Sequence, residues 1–523
     1  MNLKETAIGI EFGSTRIKAV LCGKAGEVLA SGSYTWENRF VNGVWTYSEE
    51  DIITGLKACY ADLKADVLKT YGITLTETGA IGISAMMHGY IALDKEGNLL
   101  VPFRTWRNNL AEDAAEKLTE LFSFHIPARW SIAHLYHALM NGEEHVSKIN
   151  YLTTLAGYIQ LLLTGQRAVG VGEASGMFPI DEKTGQYNKA MCMIFNGIAE
   201  VNDMPWWLED ILPKVLPAGQ NAGYLTEAGA LLLDPDGNLK AGIPFCPPEG
   251  DAGTGMVATN SVQSGTGNVS AGTSIFGMVV MDKYPRTVYP ELDIVTTPDG
   301  KPVAMVHCNN CSSEINAWMD MFQKFGQLYG LDISQGDLYT RLFRHSLTGD
   351  PDCGGVIACN YTSGENITGV QNGRPMVIRG TEANMSLANF IRSEIYASMA
   401  TLKIGMDILL KREGIACSKL YAHGGLFRTK GVAQDYMAAA MNTPVTVLET
   451  AGEGGAWGMA ILALYSVSGY ESLPGYLEEV IFNGQETTTV QPDPVLVAGF
   501  DAYTDRFTKC LPIIREASAA DLS

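Results

Sequence analysis

The amino-acid sequence predicts an α/β protein built from two large domains. A chain of 523 residues is too long for one ordinary hydrophobic core. Strand-like and helix-like segments alternate along both halves of the chain. A short turn of glycine and hydroxyl residues joins two apolar strands near the start of each half, at Gly13-Ser14-Thr15 and at Gly272-Thr273-Ser274. This repeated pattern suggests an internal duplication.

The first half begins as a β-meander followed by a capped helix and another strand. The predicted strands are Ala7–Phe12, Ile17–Leu21, Val28–Ser31 and Ala80–Ala85. Ser48 and Asp51 form a potential capping box, and apolar residues keep helical spacing from there to Gly72. The last strand runs into Met86-Met87-His88-Gly89. Ligands bind at the carboxyl ends of strands in open α/β sheets, so this turn is a candidate site.

The middle of the chain reads as helix-rich, and the second half repeats the strand and helix pattern. After an apolar strand at Ile243–Cys246, the predicted elements are strands at Asn268–Ala271, Ile275–Met281, Lys419–Ala422 and Pro444–Leu448 and helices at Leu387–Arg412, Val432–Met441 and Ala456–Tyr465. Glycines cluster where these strands end, at Gly424-Gly425 and in the loop Thr450–Gly455. Glycine at a strand end lets backbone approach a ligand closely.

Composition and charge narrow the classes of function. The hydrophobic content of 46% and charged content of 18% are those of a globular protein. A net charge of −20 argues against nucleic-acid and anionic-membrane partners, which need a basic surface. No secretion signal or membrane-length apolar run is recognised, and ten cysteines are an ordinary number for a reducing compartment. We therefore expect a cytoplasmic protein.

The first candidate site surrounds the first hairpin. Glu11 at the strand end could orient metal-bound water, and the Gly13-Ser14-Thr15 turn and Lys18 could meet a phosphate. Taken alone, the segment is better explained as an ordinary polar hairpin. The chain has neither a P-loop nor a complete dinucleotide fingerprint, so any nucleotide must bind by another scaffold.

The second candidate is Asp251, which lies among glycines in Pro248–Gly255. Its carboxylate could accept the proton of a substrate hydroxyl that attacks a phosphate. An Asp-Gly turn is common, but the hairpins on either side favour the functional interpretation.

Two further clusters have competing interpretations. Met87, His88 and Trp106 could line a polyol, although a hydrogen-bonded, partly buried histidine and a core tryptophan are more common in proteins. Cys308 and Cys311 have zinc-like spacing, but no second pair accompanies them, so structural thiols are favoured. His134 and His137 are expected on a helix surface.

Taken in order, these segments resemble the FGGY family of carbohydrate kinases, and most closely its xylulokinase-like members. The resemblance runs from about Ala7 to about Leu464 and is specific because the motifs follow the family order. The matching segments are Gly9–Thr15, Met87–Gly89, Leu163–Gly165, Glu173–Gly176, Gly250–Ala252, Gly272–Ser274, Gly424-Gly425 and Gly454–Gly458.

The resemblance implies two ribonuclease H-like (actin-like ATPase) domains with a cleft between them, residues 1–256 carrying the sugar site and catalytic base and residues 257–523 the ATP site. It implies ATP and Mg²⁺ as cofactors and Asp251 as the general base. The resemblance also implies that Glu11 lies near the metal. It implies that the sugar is lined by Met87, His88, Trp106 and Asp251. The implied ATP contacts are Gly13, Ser14, Thr15, Lys18, Gly272, Thr273, Ser274, Gly424, Gly425 and Gly455.

Three departures from the family pattern concern the site. Glu11 stands where the family usually has Asp, and Asn108 and Leu110 follow Trp106 where charged residues are common. The family's usual Lys and Trp are missing around Ala156–Thr164.

The expected reaction is phosphorylation of a small ketose, with xylulose first and ribulose, rhamnulose or a glycerol-like polyol as further candidates. The expected partners are a small sugar and ATP, with neither nucleic acid nor membrane, and a homodimer is left open. An actin-like ATPase without kinase activity and a Rossmann dehydrogenase are the competing classes, and the missing dinucleotide fingerprint disfavours the second.

Overall fold

The computed structural model describes residues 2–448, 454–485 and 487–520. The chain forms two compact units, and each unit is discontinuous in sequence. The first unit comprises Met1–Val262, Asp293–Val303 and Glu453–Gln485, and the second comprises Gln263–Leu292, Ala304–Gly452 and Glu486–Ser523. Two later segments pack with the first one in the first unit, and the domain boundary predicted between residues 256 and 257 stays a prediction. Residues 450–453 of the predicted loop Thr450–Gly455 lie outside the described residues.

The strands, in chain order, are β1 Ala7–Phe12, β2 Arg16–Cys22, β3 Val28–Thr35, β4 Arg39–Val41, β5 Val44–Thr46, β6 Ala80–Ala85, β7 Ile91–Leu93, β8 Tyr151–Thr153, β9 Ala168–Gly170, β10 Ile180–Asp181, β11 Gln186–Tyr187, β12 Lys214–Leu216, β13 Glu249–Gly250, β14 Thr266–Ala271, β15 Ile275–Val280, β16 Asp293–Thr296, β17 Pro302–Cys308, β18 Val356–Cys359, β19 Met376–Arg379, β20 Lys419–Gly424, β21 Val445–Leu448 and β22 Thr487–Val490.

The α-helices are α1 Glu49–Tyr71, α2 Glu112–Phe122, α3 Ser131–Met140, α4 Leu155–Thr164, α5 Val171–Ser175, α6 Lys189–Asn196, α7 Ala199–Asn202, α8 Leu208–Ile211, α9 Glu227–Leu233, α10 Asp251–Ala258, α11 Ser313–Leu328, α12 Gln335–Ser346, α13 Leu387–Asp407, α14 Ala433–Met441, α15 Gly454–Ser468, α16 Leu473–Tyr476 and α17 Pro494–Ala519. Among the described residues, no helix is long and apolar enough to cross a membrane.

The two units share one sheet topology. In the first unit the strand order is β13–β6–β1–β2–β3, and in the second it includes β17–β15–β14–β20–β21. Each central strand pairs antiparallel with the next strand in sequence and parallel with a later one, as β1 does with β2 and β6 and β14 does with β15 and β20. The parallel register aligns Phe12 with Ala85 and Ala271 with Gly424. Each hairpin therefore lies beside the end of a parallel strand, as the duplication predicted.

Local signals place most predicted elements to within a few residues. Helix α1 begins at its predicted cap, where the Ser48 hydroxyl accepts the Asp51 N–H, and it ends at Gly72 in the left-handed region. The strand predicted at Ile243–Cys246 is wrong. Only isolated β-bridges occur in this described stretch. The strand that pairs with the other edge of β6, opposite β1, is β13. Two prolines follow Cys246, and proline cannot donate to a sheet ladder.

Helix α15 packs into the first unit through one glycine of β1 and one of its own. Its residues from Gly455 to Tyr465 are all buried, which is typical of a helix that is apolar on every side. A Cβ atom on Gly9 of β1 would lie 2.1 Å from the Ala456 carbonyl oxygen, and one on Gly458 would lie 2.1 Å from the Thr254 carbonyl oxygen. The helix backbone therefore lies directly against β1 and α10, which brings the start of α15 to the end of β1.

We expect Gly9→Ala to destabilise the protein by about 3 kcal/mol, at the upper end of ordinary overpacking, because the new methyl group meets helix backbone that cannot move alone. The matched control is Gly255→Ala, since no described atom lies within 4 Å of a Cβ there. Thermal and urea unfolding should show a large loss for Gly9→Ala and little change or a small gain for the control. Equal midpoints for both variants would contradict this packing.

Candidate active site

The first hairpin turns its carbonyl groups inward. The Gly13 carbonyl accepts the Trp36 indole N–H at 2.7 Å, and the Ser14 carbonyl accepts the Tyr47 hydroxyl at 2.6 Å. The Thr15 carbonyl accepts the Trp36 backbone N–H at 3.2 Å. In a planar trans peptide the N–H points away from the C=O, so the Ser14 and Thr15 N–H groups point the other way. Ser14 and Thr15 are exposed, and such outward N–H groups suit an anion.

The hairpin of the second unit is built in the same way with different residues. The Thr273 carbonyl accepts the Cys311 N–H at 2.9 Å, and the Gly272 carbonyl accepts both the N–H and the hydroxyl of Ser312, at 3.2 and 2.6 Å. The N–H groups of Thr273 and Ser274 therefore point away from these contacts. Gly272 and Thr273 are exposed. The turn is a second candidate anion site.

Gly424 and Gly425 lie beside this second hairpin. A Cβ on Gly424 would lie 2.1 Å from the Ala271 carbonyl oxygen, and Gly424 has φ of +111°, so only glycine fits there. Gly425 is exposed and begins a short 3₁₀ turn. The structure thus places Gly424 against Ala271, the residue before Gly272, and the ATP contacts of Gly424 and Gly425 stay predictions.

Glu11 ends β1 at the N-terminus of α15. Its Oε2 atom accepts the Ala456 N–H at 3.2 Å, and Lys18 is its cross-strand partner on β2. Burial and the nearby Asp251 raise the pKa of Glu11 to about 7, against the effects of Lys18 and Ala456. A Cβ on Gly455 would lie 2.4 Å from the Glu11 Oε1 atom. The missing side chain at Gly455 therefore makes room for a glutamate where the family usually has the shorter aspartate.

Gly455 accordingly lies in the first unit, against Glu11, whereas Gly424 and Gly425 lie in the second unit. Its predicted role at adenosine stays a prediction.

Asp251 is the first residue of α10 and is directly linked to the predicted sugar turn. Its Oδ1 atom accepts the Met87 N–H at 3.1 Å. The residue is exposed, yet surrounding protein removes enough water to raise its pKa, while backbone N–H groups and Arg129 act in the opposite direction. A solvent-accessible carboxylate with an elevated pKa suits a general base.

The predicted sugar turn is strained and held from two sides. His88 has φ of +74°, an unusual value for a residue with a side chain. Its Nδ1 atom lies 3.2 Å from the Gly176 carbonyl oxygen, which can only accept, so Nδ1 carries the hydrogen and Nε2 is left as an acceptor. Burial lowers the pKa of His88 to about 3, so the ring is neutral. Met87 and His88 are both buried.

Trp106 is 42% exposed, so its interpretation as a core tryptophan is wrong. Nearby Asn108 is buried and braces the loop. Its Oδ1 accepts the Trp45 N–H at 2.8 Å, and its Nδ2 donates to the carbonyls of Trp45 and Thr105 at 2.9 Å each. The asparagine therefore has a structural task where the family often has a charged residue.

The buried acids Glu173 and Glu249 lie behind Asp251 and were not predicted as site residues. Glu249 accepts the N–H groups of Gly172 and Glu173 at 3.3 and 2.8 Å. A Cβ on Gly250 would lie 2.6 Å from the Glu173 Oε2 atom. Burial raises the pKa of Glu249 to about 8 and that of Glu173 well above its usual value. The sequence carried one signal, since Glu249 stands two residues before Asp251.

Glu249→Gln should change how stability depends on pH. The pKa of Glu249 rises from 4.5 to about 8 on folding. The folded state therefore binds more protons between these values, and stability declines as pH rises, by at most about 1.4 kcal/mol per pH unit. Glutamine cannot ionise, but it loses one backbone hydrogen bond, worth about 1 kcal/mol. Urea unfolding at pH 5, 6.5 and 8 should show the variant less stable at pH 5 and equal or more stable at pH 8. Parallel pH profiles would contradict this assignment.

Two expectations outside this site have clear outcomes. Cys308 and Cys311 are buried thiols, and burial raises the pKa of Cys311 to about 12, so both are structural as predicted. His134 is fully buried on α3, so its predicted place on a helix surface is wrong. Its neighbours in the helix are apolar, and the whole face packs inward.

The same sheet topology in both units, with a glycine–hydroxyl hairpin in each, agrees with the class of actin-like sugar phosphotransferases. Residues 6–257 match the N-terminal domain and residues 267–467 the C-terminal domain of the FGGY family of carbohydrate kinases. The chain belongs to this family and is an enzyme of the sugar kinase class.

Individual relatives are distant. The xylulose kinase of Haemophilus influenzae is 23% identical over 447 residues, which cover 82% of this chain and 83% of the relative. A structure described as a xyloylose kinase from Brucella ovis has a TM-score of 0.77 at 20% identity, covering 98% of this chain and 100% of the other. A gluconate kinase from Lactobacillus acidophilus reaches 0.78 at 17% identity and covers 98% of each chain. The predicted fold class is confirmed, but kinases named for different acceptors share this fold.

Proposed function

We propose that this enzyme transfers the γ-phosphoryl group of ATP to a hydroxyl of a small ketose, with xylulose as the first candidate. The observation that carries the proposal is the direct hydrogen bond from the Met87 N–H to Asp251. It links an accessible carboxylate of raised pKa to the turn that contains His88. Phosphoryl transfer needs such positioning more than covalent catalysis.

In the proposed reaction, Asp251 accepts the proton of the acceptor hydroxyl. The hydroxyl oxygen forms a bond to the γ-phosphorus, the bond from that phosphorus to the bridging oxygen breaks, and its electron pair leaves with ADP. The neutral His88 ring offers Nε2 as an acceptor that can orient a neighbouring hydroxyl. Met87 and the exposed Trp106 contribute apolar surface to the sugar.

The ATP phosphates are assigned to the hairpins. The outward direction of the Ser14 and Thr15 N–H groups follows from the bonded carbonyls behind them, both residues also carry hydroxyls, and Gly13 allows the tight turn. Thr273 and Ser274, with Gly272, offer the same groups in the second unit. Lys18 adds one positive charge, and Gly424, Gly425 and Gly455 are assigned to the adenosine side.

The residues present fit a magnesium ion that arrives with the nucleotide. Glu11 is a partly buried carboxylate, and burial and the nearby Asp251 raise its pKa because they disfavour its ionised form. A divalent cation beside it would stabilise that ionised form. No cluster of three or more metal-ligating side chains occurs in the described part of the chain. Mg²⁺ commonly uses one or two carboxylates plus phosphates and water, and when bound it neutralises phosphate charge.

Xylulose is placed first because a relative whose match covers 82% of this chain is a xylulose kinase. Ribulose, rhamnulose and glycerol-like polyols are the other candidate acceptors. Ten cysteines are an ordinary number for a protein of this size in a reducing compartment, which supports the proposed cytoplasmic location.

The test is ADP release with ATP and Mg²⁺ against a panel of ketoses and polyols. We expect at least one ketose to raise ADP release well above the rate without acceptor, with a phosphorylated sugar as co-product. Acceptor-independent ATP hydrolysis across the whole panel would overturn the proposal in favour of an ATPase.

A further inference from the structure

A partly buried ion cluster of Arg129, His125 and Asp293 lies close to the proposed acceptor site. An Arg129 Nη2 atom contacts the Asp293 Oδ2 atom, and the His125 Nε2 atom lies 3.4 Å from Asp293 Oδ1. Burial alone would raise the pKa of Asp293, but Arg129 and His125 hold it well below its usual range. Asp293 is therefore ionised at neutral pH and compensates the charge of Arg129.

Three observations place Arg129 at the acceptor site. Its carbonyl oxygen accepts the Gly89 N–H at 3.2 Å, which ties it to the turn that carries Met87 and His88. Its positive charge lowers the pKa of His88 and opposes the rise in the pKa of Asp251. Its side chain is 28% exposed, so solvent and small molecules can reach part of it.

The charges around this position disfavour an anionic acceptor. Asp251 must be ionised to act as a base, and it lies close enough to Glu11 to raise the pKa of that residue. The nearby guanidinium group is already paired with a carboxylate. A sugar acid would therefore bring its negative charge next to the carboxylates of Asp251 and Asp293. Like charges at short range repel, and the positive charge of Arg129 is already compensated by Asp293.

The same pair suits a neutral polyol. The guanidinium group retains donors that Asp293 does not use, and the carboxylate retains acceptor capacity. The hydroxyl groups of a neutral sugar can accept hydrogen bonds from the guanidinium group and donate hydrogen bonds to the carboxylate. A neutral sugar carries no net charge that must lose its water on binding.

We propose that the Arg129–Asp293 pair selects neutral polyhydroxylated acceptors and rejects sugar acids, with Arg129 at the acceptor and Asp293 as the residue that positions and neutralises it. This inference rests on the proposed kinase function and names the residues that set its substrate class. It separates this chain from a gluconate-type specificity, although the gluconate kinase structure shares its fold.

The test compares kcat/KM for xylulose, ribulose and glycerol with that for gluconate. We expect the best neutral acceptor to exceed gluconate at least a hundredfold in the wild-type enzyme. Asp293→Asn leaves the guanidinium charge uncompensated, so the ratio should fall at least tenfold, with KM decreasing for gluconate and increasing for the neutral acceptor. The matched control is Asp299→Asn in the same segment, since Asp299 pairs with Lys301 at 3.5 Å and should leave the ratio unchanged.

The outcomes separate the two proposals. A wild-type preference for gluconate, or an unchanged ratio in a folded Asp293→Asn variant, overturns the selection by Arg129 and Asp293 but leaves the kinase intact. If Asp293→Asn fails to fold, the wild-type ratio alone decides. Absence of turnover with every acceptor overturns the kinase proposal, and the inference with it.

Discussion

Asp251→Asn is expected to lower kcat for sugar phosphorylation about 10³-fold while the protein folds and binds ATP normally. General-base catalysis typically contributes 10²–10⁴-fold, and an amide cannot accept the proton. The asparagine oxygen can still accept the Met87 N–H, so the sugar turn should keep its place. The loss should therefore appear in kcat rather than in the affinity for ATP.

The measurement is ADP release at saturating ATP and acceptor, with ATP affinity measured separately by calorimetry. Asp113→Asn is the matched control, because Asp113 is an exposed aspartate in the first turn of α2. It should retain wild-type turnover. Turnover of Asp251→Asn within a few fold of wild type would exclude Asp251 as the base.

Glu11→Gln is expected to lower kcat about a hundredfold and to raise the Mg²⁺ concentration needed for half-maximal activity. The amide oxygen can still accept the Ala456 N–H, so the fold at the start of α15 should persist. What the variant loses is the negative charge, and fixed charges at the transferring phosphoryl group commonly contribute several kcal/mol.

A Mg²⁺ titration of the initial rate checks this prediction, with unfolding midpoints measured in parallel. Glu50→Gln serves as control, because Glu50 is exposed in the first turn of α1. An unchanged Mg²⁺ requirement together with full activity would remove Glu11 from the metal site.

The sequence predicted the elements that local patterns encode. Helix α1 carries its own start and stop signals in Ser48 and Gly72, and the strands of both hairpins read directly from apolar runs. The order of motifs then identified the family, and the family placed Asp251 beside the Met87 turn. The hydrogen bond between them agrees with that placement.

The remaining parts of the site depend on contacts between distant segments, which no local pattern reveals. Asp293 lies far from Arg129 in sequence, and its segment looks like an ordinary strand until it pairs there. The groups that bond the carbonyls of the two hairpins could not be predicted from local patterns either. Trp36 and Tyr47 bond the carbonyls of the first turn, and Cys311 does so in the second, although its spacing had suggested only a thiol pair.

The discontinuous first unit also bears on the order in which the protein can fold during synthesis. Its strand β1 is made long before the helix that covers Gly9, which comes from residues 454–468. Domains usually fold as they emerge from the ribosome. Here the surface of β1 around Gly9 has no cover until residues 454–468 have been translated, so the nascent protein must keep that surface from aggregating over this interval.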